Sequence, residues 1–532
     1  ASGTGKNGVF LLDPKNITIS ASAQSSAGYF ELSDPSPAAG DQHGLTTLVF
    51  GTNQLLVLSP YDDNAATDAG AMYVYNTATG AMLSMLTGDT ANDRIGSGGI
   101  TSLYNSTGYD YLVKSPYWHE SAGALTWVDG AGSVIDGVVS DSNSLVGSSA
   151  NDQIGSGGVQ SIYDNGIYNF LVFSPSWDGT KGAVTFGSGT TGISGLVSSS
   201  NSYVGDTTGD SVGSSGIVTL SNSGGYDYLI KSPLWHGSAG AVTWFDGSGS
   251  GFGGVVGSSN SLVGSSASDG VGASISTIIN SGIYDYVVFS SNWGGGKGAV
   301  TFAHGNTGIV GVVDSSNSLV GTQVGDAVGS GGLSSLSSGN YYTRSANWGG
   351  GAGAVTFINR TTGVTGEVSD QNSLVGSSST DHIGSGGVQS IYGNGTYNYL
   401  VFSPSWDGNK GAVTFGSGAT GVSGLVSSSN SYVGDTTGDY VGYNGITTLY
   451  NSGGYDYLIK SPYWHGSAGA VTWFDGSGSG FGGVVDSSNS LVGASSTDNI
   501  GSGGVVSVYD SQTGNYNYLV FSPNWTGELG LE

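Results

Sequence analysis

This sequence predicts an all-β protein, a closed β-propeller of four-stranded antiparallel blades, and three observations predict it. The string Asp-x-x-Gly, followed by a small-residue strand, recurs with Asp at 41, 93, 152, 210, 269, 326, 381, 439 and 498, at spacings of 52 to 59 residues. Within each copy, short apolar runs alternate with turn residues, and no window sustains a 3.6-residue period. Glycine supplies 98 of 532 residues without a Gly-X-Y period, while 30 Tyr and 11 Trp set the chain apart from disordered sequence. A fixed repeat of this length marks propellers, solenoids and arrays.

The copy beginning at Gly155 justifies the elements in order. "GSGGVQSIYD" reads as a first strand, with Val159, Ser161 and Tyr163 on one face. Asn-Gly in "NGIYN" suits positive φ in a tight turn. "FLVFSP" is an apolar second strand ended by Pro175, which cannot donate to a ladder. After the loop "SWDGTK", "GAVTFGSG" forms a third strand, and "TTGISGLVSSSNS" gives a turn and a fourth. Continuous apolar sequence at the second strand implies cover on both faces; the hydroxyl-rich fourth strand implies a wet outer edge. Gly155, Gly157 and Gly158 suit a first strand crowded at a central channel.

Closure follows from the ends. The last copy stops after two strands and the stub "ELGLE", and "GYFELSDPSPAAGD" (28–41) sits where a fourth strand would complete it. The expectation is nine blades within residues 28–532, starting near the nine Asp positions, with residues 1–27 the end of a β-helical stalk or a linker. Eight blades plus an accessory unit is the alternative, because the first unit (Leu45–Leu86) departs most from the others.

Composition narrows the partners. Eleven Lys+Arg against 38 Asp+Glu give a net charge of −27, which repels phosphate backbones and anionic lipid, so no nucleic-acid partner is expected. No apolar run is long enough to span a membrane as a helix. The absence of cysteine excludes disulfides, thiolate metal sites and a Cys nucleophile. No cofactor is expected.

The order Ile154-Gly155, Phe173-Ser174-Pro175 and Gly182-Ala183-Val184 resembles the FG-GAP repeats of integrin α-chain propellers. The acidic calcium loop of those repeats is missing: "DNGIYN" and "NSGGYD" hold one Asp each, too few for Ca²⁺, so calcium is not implied. The units also resemble repeats in bacterial filamentous-haemagglutinin-like exoproteins, and "GKNGVFLLDPKNITI" (Gly5–Ile19) looks like the end of the β-helical stalk in such proteins. That resemblance implies two-partner secretion, a secreted or outer-membrane-associated location, and adhesion.

Candidate sites have two readings each. The repeated Asp reads either as a ring of ligands or as an acceptor of backbone N–H in the turn; its presence in every unit favours the turn. Trp118, Trp177, Trp235, Trp293, Trp348, Trp406, Trp464 and Trp525 follow the second strand, with His119, Asp178, His236, Asp407 and His465 beside five of them. Aromatic faces next to polar groups stack sugars; the bland reading, which we favour, wedges each indole between blades. The three His are too far apart to share one ion. In the first unit "YDDNAATDAG" replaces the Trp loop, and Asp62, Asp63 and Asp68 there are the candidate cation ligands. No Gly-x-Ser-x-Gly, Walker or His-Glu-x-x-His motif occurs.

The expected function is therefore a non-catalytic, monomeric adhesin module binding a glycan or cell-surface protein through repeated loops. The alternatives are a structural spacer or cap on a fibrous exoprotein and, more remotely, a polysaccharide-acting enzyme with carboxylates converging from different blades.

Overall fold

The computed structural model describes residues 32–105, 108–133, 135–280, 282–451, 454–512 and 516–525. The expected stalk, residues 1–27, lies outside them. The chain divides into two compact units, Ala1–Ser261 and Leu262–Glu532.

The repeat that opens at Gly155 shows how one length of sequence becomes a sheet. Strands β1 (Gly158–Asp164) and β2 (Ile167–Ser174) form an antiparallel hairpin closed by Asn165-Gly166. Both turn residues have positive φ, 46° and 87°, which matches the right-handed twist of the flanking strands. After Pro175 the chain makes a tight turn at Trp177–Thr180, in which Asp178, Gly179 and Thr180 all have positive φ, and enters β3 (Ala183–Gly187), antiparallel to β2.

The chain then leaves its own sheet. Strand β4 (Gly195–Leu196) pairs in parallel with Leu145–Val146 of the preceding repeat, and only afterwards does β5 (Ser202–Val204) pair with β3. The following repeat adds its own Gly254–Val255 in parallel to β5. Sheets are thus five-stranded where four were expected. "GLVSSSNS", read as the wet outer strand, supplies the visiting strand instead, and the true fourth strand is buried beneath a visitor from the next repeat. An uncovered fourth strand would present a row of unpaired N–H and C=O groups.

In the first unit, complete five-stranded sheets are headed by Thr46–Phe50, Ile100–Asn105 and β1. In the second they are headed by Ser274–Asn280 and Leu333–Ser335; the five strands headed by Gly387–Gly393 and the four headed by Ile446–Asn451 are joined by a Gly393–Gly454 pair into one nine-stranded sheet, and Val505–Tyr509 with Tyr516–Val520 is a two-stranded hairpin. Nine equivalent four-stranded blades do not form. The closing strand expected near residues 28–41 is also absent where it is described: residues 32–41 carry no strand, and 28–31 lie outside the described residues.

Each sheet stays dry by packing on its neighbour. One core in the first unit joins Leu103, Leu112 and Leu145 of one sheet to Phe170, Val172 and Ala183 of the next. Another in the second unit joins Leu336, Val355 and Leu374 to Tyr399, Val401 and Val433. Side chains of β2 are buried on both faces, as its unbroken apolar run requires. The Thr of the recurring Gly-Ala-Val/Leu-Thr strand bonds a Ser at the fourth strand within its sheet: Thr185 Oγ1 to Ser202 Oγ at 2.7 Å, Thr126 to Ser144 at 2.8 Å and Thr356 to Ser373 at 2.7 Å. Both hydroxyls are fully buried, and each supplies the partner the other needs.

Candidate functional site

The recurring Asp is a structural tie between successive repeats. Asp152 is 1% exposed; its Oδ2 accepts the N–H groups of Ser148 and Ser149 at 2.9 Å, and its Oδ1 accepts the N–H of Asp178 in the next Trp loop at 2.9 Å. Asp93 holds His119 in the same way at 2.8 Å, Asp210 holds His236 at 2.8 Å, and Asp381 holds Asp407 at 3.1 Å. Burial pushes the Asp93 and Asp439 carboxyls up, against the backbone N–H groups that pull them down.

The residue whose N–H donates this bond is left-handed in these loops. φ is 45° at His119, Asp178 and His465 and 46° at His236 and Asp407, while Gly294 and Gly349 take the place at 62°. Left-handed backbone costs a non-glycine residue roughly 1–2 kcal/mol, so the Asp tie offsets strain in five repeats.

The indoles themselves are mostly inside. Trp118, Trp177, Trp235 and Trp464 are buried and Trp293, Trp348 and Trp406 are half-buried; Trp525 alone of the eight is exposed. Trp118, Trp177 and Trp464 belong to hydrophobic cores, and Trp348 and Trp406 pack against others. Among the described residues no two of these indoles are in ring contact. Each loop His lies flat on its Trp, ring centroids 3.7 Å apart, and reaches an Asp thirty positions earlier: His119 to Asp89 at 2.9 Å, His236 to Asp206 and His465 to Asp435 at 2.7 Å. Asp178 and Asp407 instead pair with Lys181 and Lys410 at 2.8 Å. The Trp loops are joints: their His and Asp side chains are engaged, while the indole N–H groups of Trp118, Trp177, Trp235, Trp293, Trp348 and Trp464 are buried without a hydrogen-bond partner.

A different aromatic surface runs along the hairpins between first and second strands. In the first unit Tyr104 meets Tyr109 at 5.5 Å and Tyr168 of the next sheet at 4.8 Å; Tyr168 meets Tyr163 at 4.7 Å, and Tyr163 meets Tyr226 of the sheet beyond at 5.9 Å. In the second unit the same chain of contacts runs Tyr397, Tyr392, Tyr455, Tyr450, Tyr516 and Tyr509, with centroids 4.8 to 5.8 Å apart. Tyr104, Tyr109, Tyr397, Tyr450 and Tyr509 are 47–57% exposed. Two further tyrosines fix the spacing from below. The buried Tyr228 hydroxyl donates to Tyr163 O at 3.1 Å and accepts from Tyr163 N–H at 2.7 Å, and Tyr457 does the same to Tyr392. The sequence carries the signal as Tyr on both sides of some hairpin turns, such as "YDNGIY" (163–168) and "YGNGTY" (392–397), whereas the hairpins after Ile217, Ser274 and Leu333 lack the first Tyr.

The first unit's loop separates the three candidate cation ligands. Asp62 is buried, near Asp34 and His43, with Tyr73 Oη donating to its Oδ2 at 2.5 Å. Asp63 faces solvent and accepts the Asp68 N–H at 2.7 Å. Asp34 and His43 had no motif to reveal them.

Seven segments, residues 106–156, 164–214, 216–273, 282–330, 335–385, 393–443 and 452–502, match the family described as "Repeat of unknown function (DUF5650)", and together they cover more than half the chain. The chain belongs to the DUF5650 repeat family. A DUF5650 segment such as 164–214 starts in the hairpin and ends just past the next recurring Asp, so it contains the donor of one inter-repeat tie, Asp178, and the acceptor of the next, Asp210. Seven repeats, not nine, carry the family pattern. No curated protein matches. Solved structures match with TM-scores too low to carry an argument. A eukaryotic initiation factor covers 86% of this chain and 89% of its own at 10% identity and TM-score 0.23; the Dos1 propeller covers 70% and 81% at 10% and 0.23. The dihydro-heme d1 dehydrogenase NirN covers 69% and 62% at 12% identity and TM-score 0.22.

Proposed function

We propose that this chain is a non-catalytic binding module whose hairpin tyrosines take a linear, neutral polysaccharide. The observation that carries the reading is the row of half-exposed phenol rings, 4.7 to 5.9 Å from one to the next across successive sheets. Sugar rings stack on aromatic faces while their hydroxyls bond nearby polar groups, and a repeating polymer suits a repeating platform. The charge of −27 favours a neutral chain over a sulfated or uronic one.

The test is affinity electrophoresis and calorimetry of the full chain with neutral glucans, mannans and galactans. Binding should weaken at least tenfold in a Tyr104→Ala/Tyr450→Ala variant and stay unchanged in Trp525→Ala. No binding to any neutral polymer by a folded sample would sink the proposal.

The spacer reading is favoured by the buried indoles and the Asp ties, which serve rigidity alone. It expects the tyrosine variant to behave as the parent does in every binding assay. The radial, closed stacking of sheets and the exoprotein setting belong to this proposal too, supported by the face-to-face cores and by the resemblance to haemagglutinin-like repeats. Electron microscopy of the full chain tests the first, and protease shaving of intact cells the second.

A further inference from the structure

Two stretches of the chain are near copies, and their few differences converge in space. Residues 210–260 and 439–489 differ at seven positions. Three of the seven place Tyr440, Tyr443 and Tyr463 where the other copy has Ser211, Ser214 and Leu234, and the structure brings those three rings together. Tyr440 and Tyr443 share one tight turn, with the Tyr443 N–H donating to Tyr440 O at 2.9 Å, and Tyr463 directly precedes Trp464. Ring centroids are 5.9 Å apart for Tyr440 and Tyr443, 5.8 Å for Tyr440 and Tyr463 and 5.3 Å for Tyr443 and Tyr463, with planes inclined at 67–76°. Tyr443 and Tyr463 are 56% and 43% exposed. The other copy builds the same turn from serines, Ser214 N–H to Ser211 O at 3.0 Å, so the turn itself does not require the rings.

The equivalent place in the first unit shows what such rings take. Arg94 occupies the position of Tyr440, with φ 49° against 47° and the same turn, Ser97 N–H to Arg94 O at 3.0 Å. Its guanidinium carbon lies 5.4 Å from the ring centroid of Tyr117, the counterpart of Tyr463, and 5.2 Å from that of Tyr61. A cation within about 6 Å of an aromatic centroid is drawn to the negative ring face. In the second unit the counterpart of Tyr61 is Ser405, and the further ring comes from Tyr443 in the place of Ser97. Tyr440 thus exchanges the cation for another aromatic face, and among the described residues no Lys or Arg stands over these three rings.

We propose that Tyr440, Tyr443 and Tyr463 receive an arginine side chain of a basic polypeptide partner, in the role that Arg94 fills within the first unit. A planar guanidinium stacks on aromatic faces and is more weakly hydrated than an ammonium, which selects Arg over Lys. The charge of −27 draws a basic chain to this protein, and the rings supply the local contact that net charge alone does not. Among the described residues no ring contact joins this cluster to the hairpin tyrosines, so the site is separate from the glycan row and stands or falls without it.

Calorimetry of the full chain with an acetylated, amidated tetra-arginine peptide reads the site, beside tetra-lysine and tetra-citrulline peptides and tetramethylammonium chloride. Tetra-arginine should bind roughly fivefold or more tightly than tetra-lysine, and tetra-citrulline should not bind. Tyr443→Ala/Tyr463→Ala leaves the net charge unchanged and should weaken arginine binding by about fivefold or more. Tyr440→Arg should weaken it as well, by placing a guanidinium beside Tyr463 from within the chain. The converse variant, Ser211→Tyr/Ser214→Tyr/Leu234→Tyr, should bind one further equivalent of peptide, with melting curves confirming that each variant folds. No arginine binding, equal binding of lysine and arginine, affinity unmoved by the tyrosine substitutions, unaltered stoichiometry in the converse variant, or binding of tetramethylammonium alone each overturns the assignment.

Discussion

Asp381 illustrates how a single side chain holds two repeats together. It is fully buried and accepts the N–H groups of Ser377, Ser378 and Asp407. Asp381→Ala should destabilise the chain by about 1–3 kcal/mol for each donor that water does not reach, measured by urea unfolding. The exposed Asp–His pairs predict a pH response of known sign. His119 holds the Asp89 carboxyl below its usual range, against burial. At Asp206 and Asp435 burial pushes up, but the His236 and His465 rings and the Thr207 and Thr436 hydroxyls outweigh it. A depressed carboxyl contributes stability that is present above its unfolded value and lost as pH falls through the folded one. Melting curves of the parent and of the Asp89→Asn/Asp206→Asn/Asp435→Asn variant should therefore differ most near neutral pH and converge in acid. A gap that widens on acidification would contradict the sign.

The hairpin is the element on which both architecture and proposed binding rest. Its position is set from two sides. Tyr228 Oη bridges the N–H and C=O of Tyr163 one sheet away, so Tyr228→Phe should cost about 1–3 kcal/mol by leaving a backbone donor short. From the other side, the chain leaving β3 passes so close to the hairpin that a Cβ on Gly189 would lie 1.6 Å from Tyr168 O, and one on Gly130 equally close to Tyr109 O. Gly189→Ala must therefore push the hairpin away. We expect it to lower the melting temperature more than any substitution of an exposed tyrosine, and to disturb sugar binding by misplacing Tyr168. Equal melting temperatures for Gly189→Ala and Tyr104→Ala would refute this account of the hairpin.

At the scale of the whole chain, charge and repetition act together. A polyanion meets a field of one sign wherever it approaches, so the chain should bind neither DNA nor heparin, even at low salt, in a gel-shift assay. A retarded band at low ionic strength would mean that a local basic patch overrides the net charge. Repetition spreads any ligand contact over several weak stacking sites, so affinity for a neutral glycan should rise steeply with its length before levelling off. Calorimetry with oligosaccharides of increasing size measures that rise.

The all-β class, the presence of a repeat, the apolar second strand and the structural role of the recurring Asp were legible in the residues, because each is a local demand. Asn165-Gly166 must turn, "FLVF" must be covered on both faces, and a lone Asp before a small-residue strand must find N–H groups. What the sequence could not settle were choices between neighbours. "GISGLV" pairs with the preceding repeat instead of its own, so the strand count per sheet changed and the fourth strand became buried. The Trp loops turned inward and the tyrosines came to lie ring to ring across sheets, while Asp34, His43 and Asp62 gathered from separate turns. Strand partners and side-chain neighbours from separate repeats are decided by packing between sheets, and that packing energy belongs to no single stretch of sequence.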